Sequence, residues 1–253
     1  MRIAVAGGTG CVGRLVTDAV RAAGHEPAVL ARSRGVDLVT GAGLDAALAG
    51  AERVIDVSNV SGGVAIGAAR STAFFEAATA NLLRAGRQAG VAHHVVLSIV
   101  GSDRVGLGYY RGKRRQEALV VEGGVPFSVL RTTQFHEFAA QTLRRGPLVL
   151  VPRMLSRPVA AAEVADALVR LAVGAPAGLA PEFAGPEERQ MVAMVRQLLR
   201  ARGSRRPVLP VRLPGAVGEG LAGGALLPAG PGPRGRQSFD EWLAEHGTGR
   251  TGA

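Results

Sequence analysis

The sequence predicts an α/β fold built on a doubly wound parallel sheet, and two observations carry that expectation. Short apolar runs rich in β-formers alternate with helical patterns through the first 145 residues, as strands joined by crossover helices do. The run from His93 to Ile99 continues in apolar character, as suits a parallel strand covered on both faces.

Taken in order, residues 2–7 read as a strand and 11–24 as a helix closed by Gly24, because glycine readily takes the left-handed turn that ends a helix. Strands are predicted at 27–31, 36–39, 53–57, 93–99 and 127–130, with a short helix at 44–48 and longer ones at 69–89 and 109–122. In the 69–89 helix, Phe74, Phe75, Ala78, Leu82 and Leu83 recur at helical spacing and read as core. A glycine-bearing loop is expected over 58–67. Beyond residue 145 the pattern loosens. One more strand is expected at 148–151, helices at 161–171 and 190–200, and a Pro/Gly-rich loop with one helical turn at 207–235. Ser238 and Glu241 form a capping-box pair before a final helix. The organisation expected is a nucleotide-binding domain over 1–145 and a small substrate-binding region over 146–253 packed on it.

Composition excludes several function classes. The 253 residues are 47% hydrophobic, enough for a large core, and no apolar run approaches a membrane span. The first apolar run is broken by glycines too early for a signal peptide. Cys11 is the only cysteine, so neither an intramolecular disulfide nor a thiolate metal cluster can form, and the cytoplasm is the expected compartment. The net charge of +10 is spread along the chain, with one Trp and two Tyr, too few aromatics for base stacking. No nucleic-acid partner, membrane partner or metal is expected. A small-molecule substrate is, on a monomer or homodimer. Of the 30 basic residues Lys113 alone is lysine, leaving 30 − 1 = 29 arginines. A lysine kept against that bias marks a place where a compact ammonium serves and a guanidinium fork does not.

The opening stretch carries the first chemistry. Gly7-Gly8-Thr9-Gly10-Cys11-Val12-Gly13 stands between strand and helix. There a glycine turn lets backbone N–H groups approach a pyrophosphate, and the helix N-terminus adds partial positive charge. Ligands of such sheets lie beyond the carboxyl ends of the strands. The second predicted strand ends in Arg32-Ser33-Arg34 with no carboxylate for a ribose 2′-hydroxyl, which favours a 2′-phosphate and hence NADP(H) over NAD(H). Asp37 and Leu38 are expected to flank the adenine, and Ser58 and Asn59 either line the cofactor ribose or serve as local turn formers. The run 93–99 presents Ser98 near its end, and Tyr109 and Lys113 follow four residues apart on one helical face. A nearby ammonium lowers a phenol's pKa and fits it for proton transfer. Tyr110 competes with Tyr109 for the pocket-facing position. His136 and Glu137, after the 127–130 strand, stand as an accessory acid or a surface pair.

Gly7-Gly8-Thr9-Gly10-x-x-Gly13, Ser98 and Tyr109-x-x-x-Lys113 resemble the short-chain dehydrogenase/reductase superfamily. Val129-Leu130-Arg131-Thr132-Thr133-Gln134-Phe135, the stretch around Glu163-Val164-Ala165 and the ending Ser238-Phe239-Asp240-Glu241-Trp242-Leu243 are similar to its atypical, NmrA-like NAD(P)H-binding members. The resemblance implies a Rossmann-type subunit. Its cofactor contacts would be Gly7, Thr9, Gly10, Cys11, Val12, Gly13, Arg32, Ser33, Ser58, Asn59 and Lys113, with Thr132 or Thr133 near the nicotinamide. It implies an NADPH-dependent oxidoreductase acting on a carbonyl, quinone or conjugated enone through Tyr109, Lys113 and Ser98. Two alternatives stand beside it: an NADP(H)-binding redox sensor without turnover, and a nucleotide-sugar epimerase or dehydratase.

Overall fold

The computed structural model describes residues 1–60, 62, 66–143 and 146–247. Its main sheet has six strands, all parallel, in the order β2-β1-β3-β4-β5-β8. These are β1 (Arg2–Ala6), β2 (Glu26–Leu30), β3 (Arg53–Asp56), β4 (His93–Ile99), β5 (Phe127–Thr132) and β8 (Gly178–Leu179). Because β2 lies on one side of β1 and β3 on the other, the winding direction reverses between β1 and β3. The crevice at their carboxyl ends is where such a fold binds ligands.

Helices cover both faces. On one, α1 (Cys11–Ala22) packs against α6 (Ala161–Val173), over Ile3, Val5, Ile55, Val95 and Leu130. On the other, α2 (Leu44–Leu48) and α3 (Ala68–Gln88) close over Ala4, Ala6 and Val54, and α4 (Gly108–Glu122) lies beside α3. The alternation of β1, with Ile3 and Val5 facing one layer and Ala4 and Ala6 the other, is what a strand between two helical layers requires.

Past residue 145 the chain returns to the sheet. Helix α6 covers one face, and β8 pairs with β5 at the edge. The remaining elements form a cap. The short α5 (Phe138–Gln141) precedes it, β6 (Val149–Pro152) pairs with β10 (Val208–Val211), and β7 (Leu155–Ser156) pairs with β9 (Arg189–Gln190). Helices α7 (Met191–Ala201), α8 (Gly215–Ala222) and α9 (Phe239–His246) complete it. Its core joins Met191, Met194, Leu198, Phe239 and Trp242 to Tyr109 and Tyr110 of α4. The capping box forms: the Glu241 N–H donates to Ser238 Oγ at 3.2 Å, and the Ser238 N–H donates to Glu241 Oε2 at 2.8 Å.

Two expectations are corrected. Residues 36–39 form a turn instead of a strand: Asp37 Oδ1 accepts the N–H groups of Val39 at 2.8 Å and Thr40 at 3.2 Å. That carboxylate captures the donors a ladder would need. The 207–235 loop holds a strand, β10, and the eight-residue α8 rather than a single turn. Of the loop at 58–67, residues 61 and 63–65 lie outside the described residues.

Candidate active site

The glycine turn is built for close approach. Gly7 has φ +80°, a left-handed conformation that favours glycine, and a Cβ there would lie 2.8 Å from Ser58 Cα across the switch point. A Cβ on Gly13 would lie 2.0 Å from the Gly7 carbonyl oxygen. Helix α1 begins at once, with no side-chain cap on Gly10 and no acidic residue in its first turn. Its leading N–H groups and dipole therefore face the crevice. That crevice, of about 700 Å³, is lined by Gly7, Thr9, Gly10, Cys11, Val12 and Gly13, by Arg32, Asp37 and Leu38, and by Ser58 and Asn59. A cradle that a Cβ would fill, backed by an uncapped helix start, fits a dinucleotide pyrophosphate. Ser33 does not line the crevice; it sits with Arg32 and Arg34 in a one-turn helix and is exposed. Burial and Glu137 push the Cys11 thiol up, against Arg14.

A second cavity, of about 170 Å³, continues from the first and shares Val12, Val57, Ser58, Asn59, Phe135 and Gln141 with it. It is lined by Ser98, Tyr109, Tyr110, Lys113, Thr132 and Thr133, with Ile99, Phe138 and Gln134 as walls. Among the described residues, Lys113 alone of its lining is charged, and none of them lies beyond Gln141. Among the described residues the cap therefore supports this cavity from behind, through the core it shares with Tyr109 and Tyr110, and contributes no lining residue.

The polar groups form one connected set. The Tyr109 hydroxyl donates to Asn59 Oδ1 at 2.8 Å. The Lys113 ammonium donates to the Leu97 carbonyl at 2.6 Å and to Gln116 Oε1, and sits 4.7 Å from the centre of the Phe75 ring. Gln116 Nε2 donates to Asp56 Oδ2 at 2.8 Å, and Asp56 Oδ1 accepts the Ser58 N–H at 2.9 Å. The hydroxyls of Ser58 and Ser98, both buried, have no protein partner; each borders the cavity and is available to a ligand.

Electrostatics differ from the sequence expectation at Tyr109. Burial pushes its phenol well above the ordinary value, Tyr110 adds to this, and the bond with Asn59 offsets part of it. Lys113 is not among the causes; its ammonium bonds to Leu97 and Gln116 instead of the phenol. Burial likewise takes Tyr110 up to about 12. Lys113 is pulled down to about 8 by burial, against the attraction of Asp56 and Glu117.

Both tyrosines line the cavity, so the choice between them rests on partners: Tyr109 reaches the loop that both cavities share. His136 turns into the cap core beside Phe239 and Trp242 and donates from Nε2 to the Gln237 carbonyl, 3.1 Å away. Glu137 lines the larger crevice, its carboxyl pushed up by burial. Sequence reasoning missed Phe135, Gln141 and the Asp56–Gln116 pair. An aspartate inside the apolar run Val54-Ile55-Asp56-Val57 was the available signal for the last. Among the described residues no helix is long and apolar enough to cross a membrane.

No protein-family model matches the sequence, and no curated protein is matched by it. Solved structures do match over nearly the whole chain. A UDP-glucose 4-epimerase of Thermus thermophilus, in complex with NAD, has TM-score 0.68 at 20% identity, covering 97% of this chain and 93% of that one. A short-chain dehydrogenase/reductase superfamily protein from Agrobacterium tumefaciens with bound NAD has TM-score 0.69 at 17% identity, over 98% and 96%. An NADPH-dependent quinone oxidoreductase from Escherichia coli has TM-score 0.64 at 16% identity, over 96% and 98%. The chain thus has the Rossmann-type fold of NAD(P)-binding proteins of this kind. At these identities the likeness is one of fold.

Proposed function

We propose that this chain is an NADP(H)-dependent oxidoreductase of the atypical short-chain type, reducing a small neutral carbonyl, quinone or conjugated enone. The observation that carries the reading is the continuity of the two cavities. A crevice fit for a dinucleotide runs past Ser58 and Asn59 into a mostly apolar space bordered by Ser98, Tyr109 and Lys113. Arg32 at the far end supports NADP(H) over NAD(H). The choice of phosphorylated cofactor, the roles of the site residues, the cytoplasmic location and the monomeric or dimeric state are parts of the same proposal.

The bound cofactor supplies hydride. The protein supplies the rest. Tyr109, kept protonated by burial, is the acid for the developing alkoxide or enolate oxygen. Ser98 offers a free hydroxyl to orient that oxygen, and Lys113 sets positive charge beneath it. Ile99, Phe135 and Phe138 exclude water, which strengthens these interactions. The test is NADPH oxidation against a panel of quinones, aldehydes and enones: turnover by the wild type and its loss in Tyr109→Phe support the reading.

A second reading, an NADP(H)-binding regulator without turnover, draws on the inward bonding of Lys113 and the high Tyr109 pKa. It predicts tight NADPH binding with no oxidation across the panel. The sugar-nucleotide epimerase reading has a neighbour of like fold, but among the described residues lining the inner cavity there is no arginine to face a sugar diphosphate. Calorimetry with UDP- and dTDP-sugars tests it.

A further inference from the structure

Asp56 is the last residue of β3, 1% exposed, and follows the fully buried Val54 and Ile55. A carboxylate is a costly choice for such a place unless something answers its charge. Its two oxygens are both used, one by the Ser58 N–H and one by Gln116 Nε2. The second bond decides how Gln116 lies. A carboxylate only accepts, so the amide NH₂ must face it, and the amide oxygen is left pointing the other way. There it meets the Lys113 ammonium, which only donates. Glutamine is suited to bridge the two, since it donates to one and accepts from the other. Gln116 is fully buried, and Lys113 is 5% exposed.

We propose that Asp56, acting through Gln116, is a positioning residue that holds the Lys113 ammonium beneath the inner cavity and supplies its counter-charge. The other charged groups nearby are already matched. Glu117, on the same helix as Lys113, is paired with Arg131 of β5 at 2.6 and 3.0 Å, and Arg131 also meets Asp103 at 3.1 Å. His94 of β4 is fully buried beside Asp56, and burial favours its neutral form. From α3, Phe75 presents a ring face to the ammonium, and from β4 the Leu97 carbonyl accepts from it. Asp56 is thus the carboxylate left to answer Lys113. The attraction of Asp56 and Glu117 for the ammonium agrees with this arrangement. Its consequence for turnover rests on the reductase reading above; the geometry does not.

Because Lys113 is the only lysine, protein labelled isotopically at the lysine ε-carbon gives one side-chain signal, whose pH titration reads this ammonium alone. Asp56→Asn is expected to lower its midpoint so that protonation weakens about tenfold or more, and Glu117→Gln to lower it less. A wild-type titration curve in Asp56→Asn, or a larger shift in Glu117→Gln, overturns the proposal. If Asp56→Asn does not fold, Gln116→Met takes its place: a lowered midpoint supports the bridge, and an unchanged one overturns it. In turnover, the high-pH limb of kcat should move down with the titration midpoint in Asp56→Asn while NADPH affinity holds. A wild type that oxidises no NADPH, with the lysine shift still present, defeats the reductase reading and leaves the positioning role standing.

Discussion

The Tyr109 hydroxyl donates to Asn59 Oδ1 across 2.8 Å, and this bond ties helix α4 to a loop that borders both the larger crevice and the inner cavity. The proton that would reach a substrate oxygen is therefore held, before any ligand arrives, by a residue at the junction. Tyr109→Phe should keep NADPH affinity within about twofold while lowering kcat by about 10²–10⁴, the range of a general acid. Fluorescence titration and steady-state rates separate the two effects. Equal turnover in mutant and wild type would remove Tyr109 from the chemistry.

Asn59→Leu removes the acceptor and leaves a buried phenol hydroxyl without a partner. A loss of about 1–3 kcal/mol in folding stability is expected, measured by urea unfolding. Tyr109→Phe combined with Asn59→Leu should lose less than the sum of the singles, since the orphaned hydroxyl is gone.

Gly13→Ala sets a methyl 2.0 Å from the Gly7 carbonyl oxygen, a backbone atom fixed by the turn. The expected outcome is a destabilised fold, by about 1–3 kcal/mol, and loss of NADPH binding by calorimetry. A variant that binds NADPH as the wild type does would mean that the turn does not hold the pyrophosphate.

Arg32→Asp exchanges one of the two arginines that border the crevice among the described residues, the other being Arg70, for a carboxylate. The ratio of NADPH to NADH affinity should fall by about tenfold or more, as loss of a charged hydrogen bond implies. An unchanged ratio would assign the 2′-phosphate to another residue or favour NAD(H).

Lys113 gives a pH signature of its own. Burial lowers its pKa to about 8 in the folded chain, against 10.5 for an ordinary lysine, so between those pH values the unfolded chain binds more protons than the folded one. Stability therefore rises with pH across about 8 to 10.5 as far as this group is concerned, and the burial cost of the ammonium is fully present below about 8. Above about 10 the tyrosines act in the opposite sense: with folded pKa values raised, they disfavour folding as the unfolded phenols ionise. Lys113→Met should abolish the rise between about 8 and 10, read from urea midpoints. A rise retained in Lys113→Met would assign it to another group.

The parts of the site that follow from local chemistry were readable from residues alone. The glycine turn between strand and helix, Ser98 near the end of β4 and the four-residue spacing of Tyr109 and Lys113 each follow from short-range rules, and all border the two cavities. What could not be read depends on contacts distant in sequence. Gln116 meets Asp56 across 60 residues, and that contact turns Lys113 inward. Residues 36–39 have a strand's composition, yet the Asp37 carboxylate binds two N–H groups just after it and forms a turn. Phe135 follows β5 by three residues, where extending the strand-end rule would have reached it, whereas Gln141 ends α5 and is brought to the crevice by that helix.

On the proposed function, the inner cavity is a place of hydride transfer. The direct measurement uses NADPH deuterated at the nicotinamide C4 with a panel of quinones, aldehydes and enones, followed by mass analysis of the products. The account predicts deuterium on a reduced product and matching oxidation of cofactor. Tight NADPH binding with no deuterium transferred to any member of the panel would contradict it.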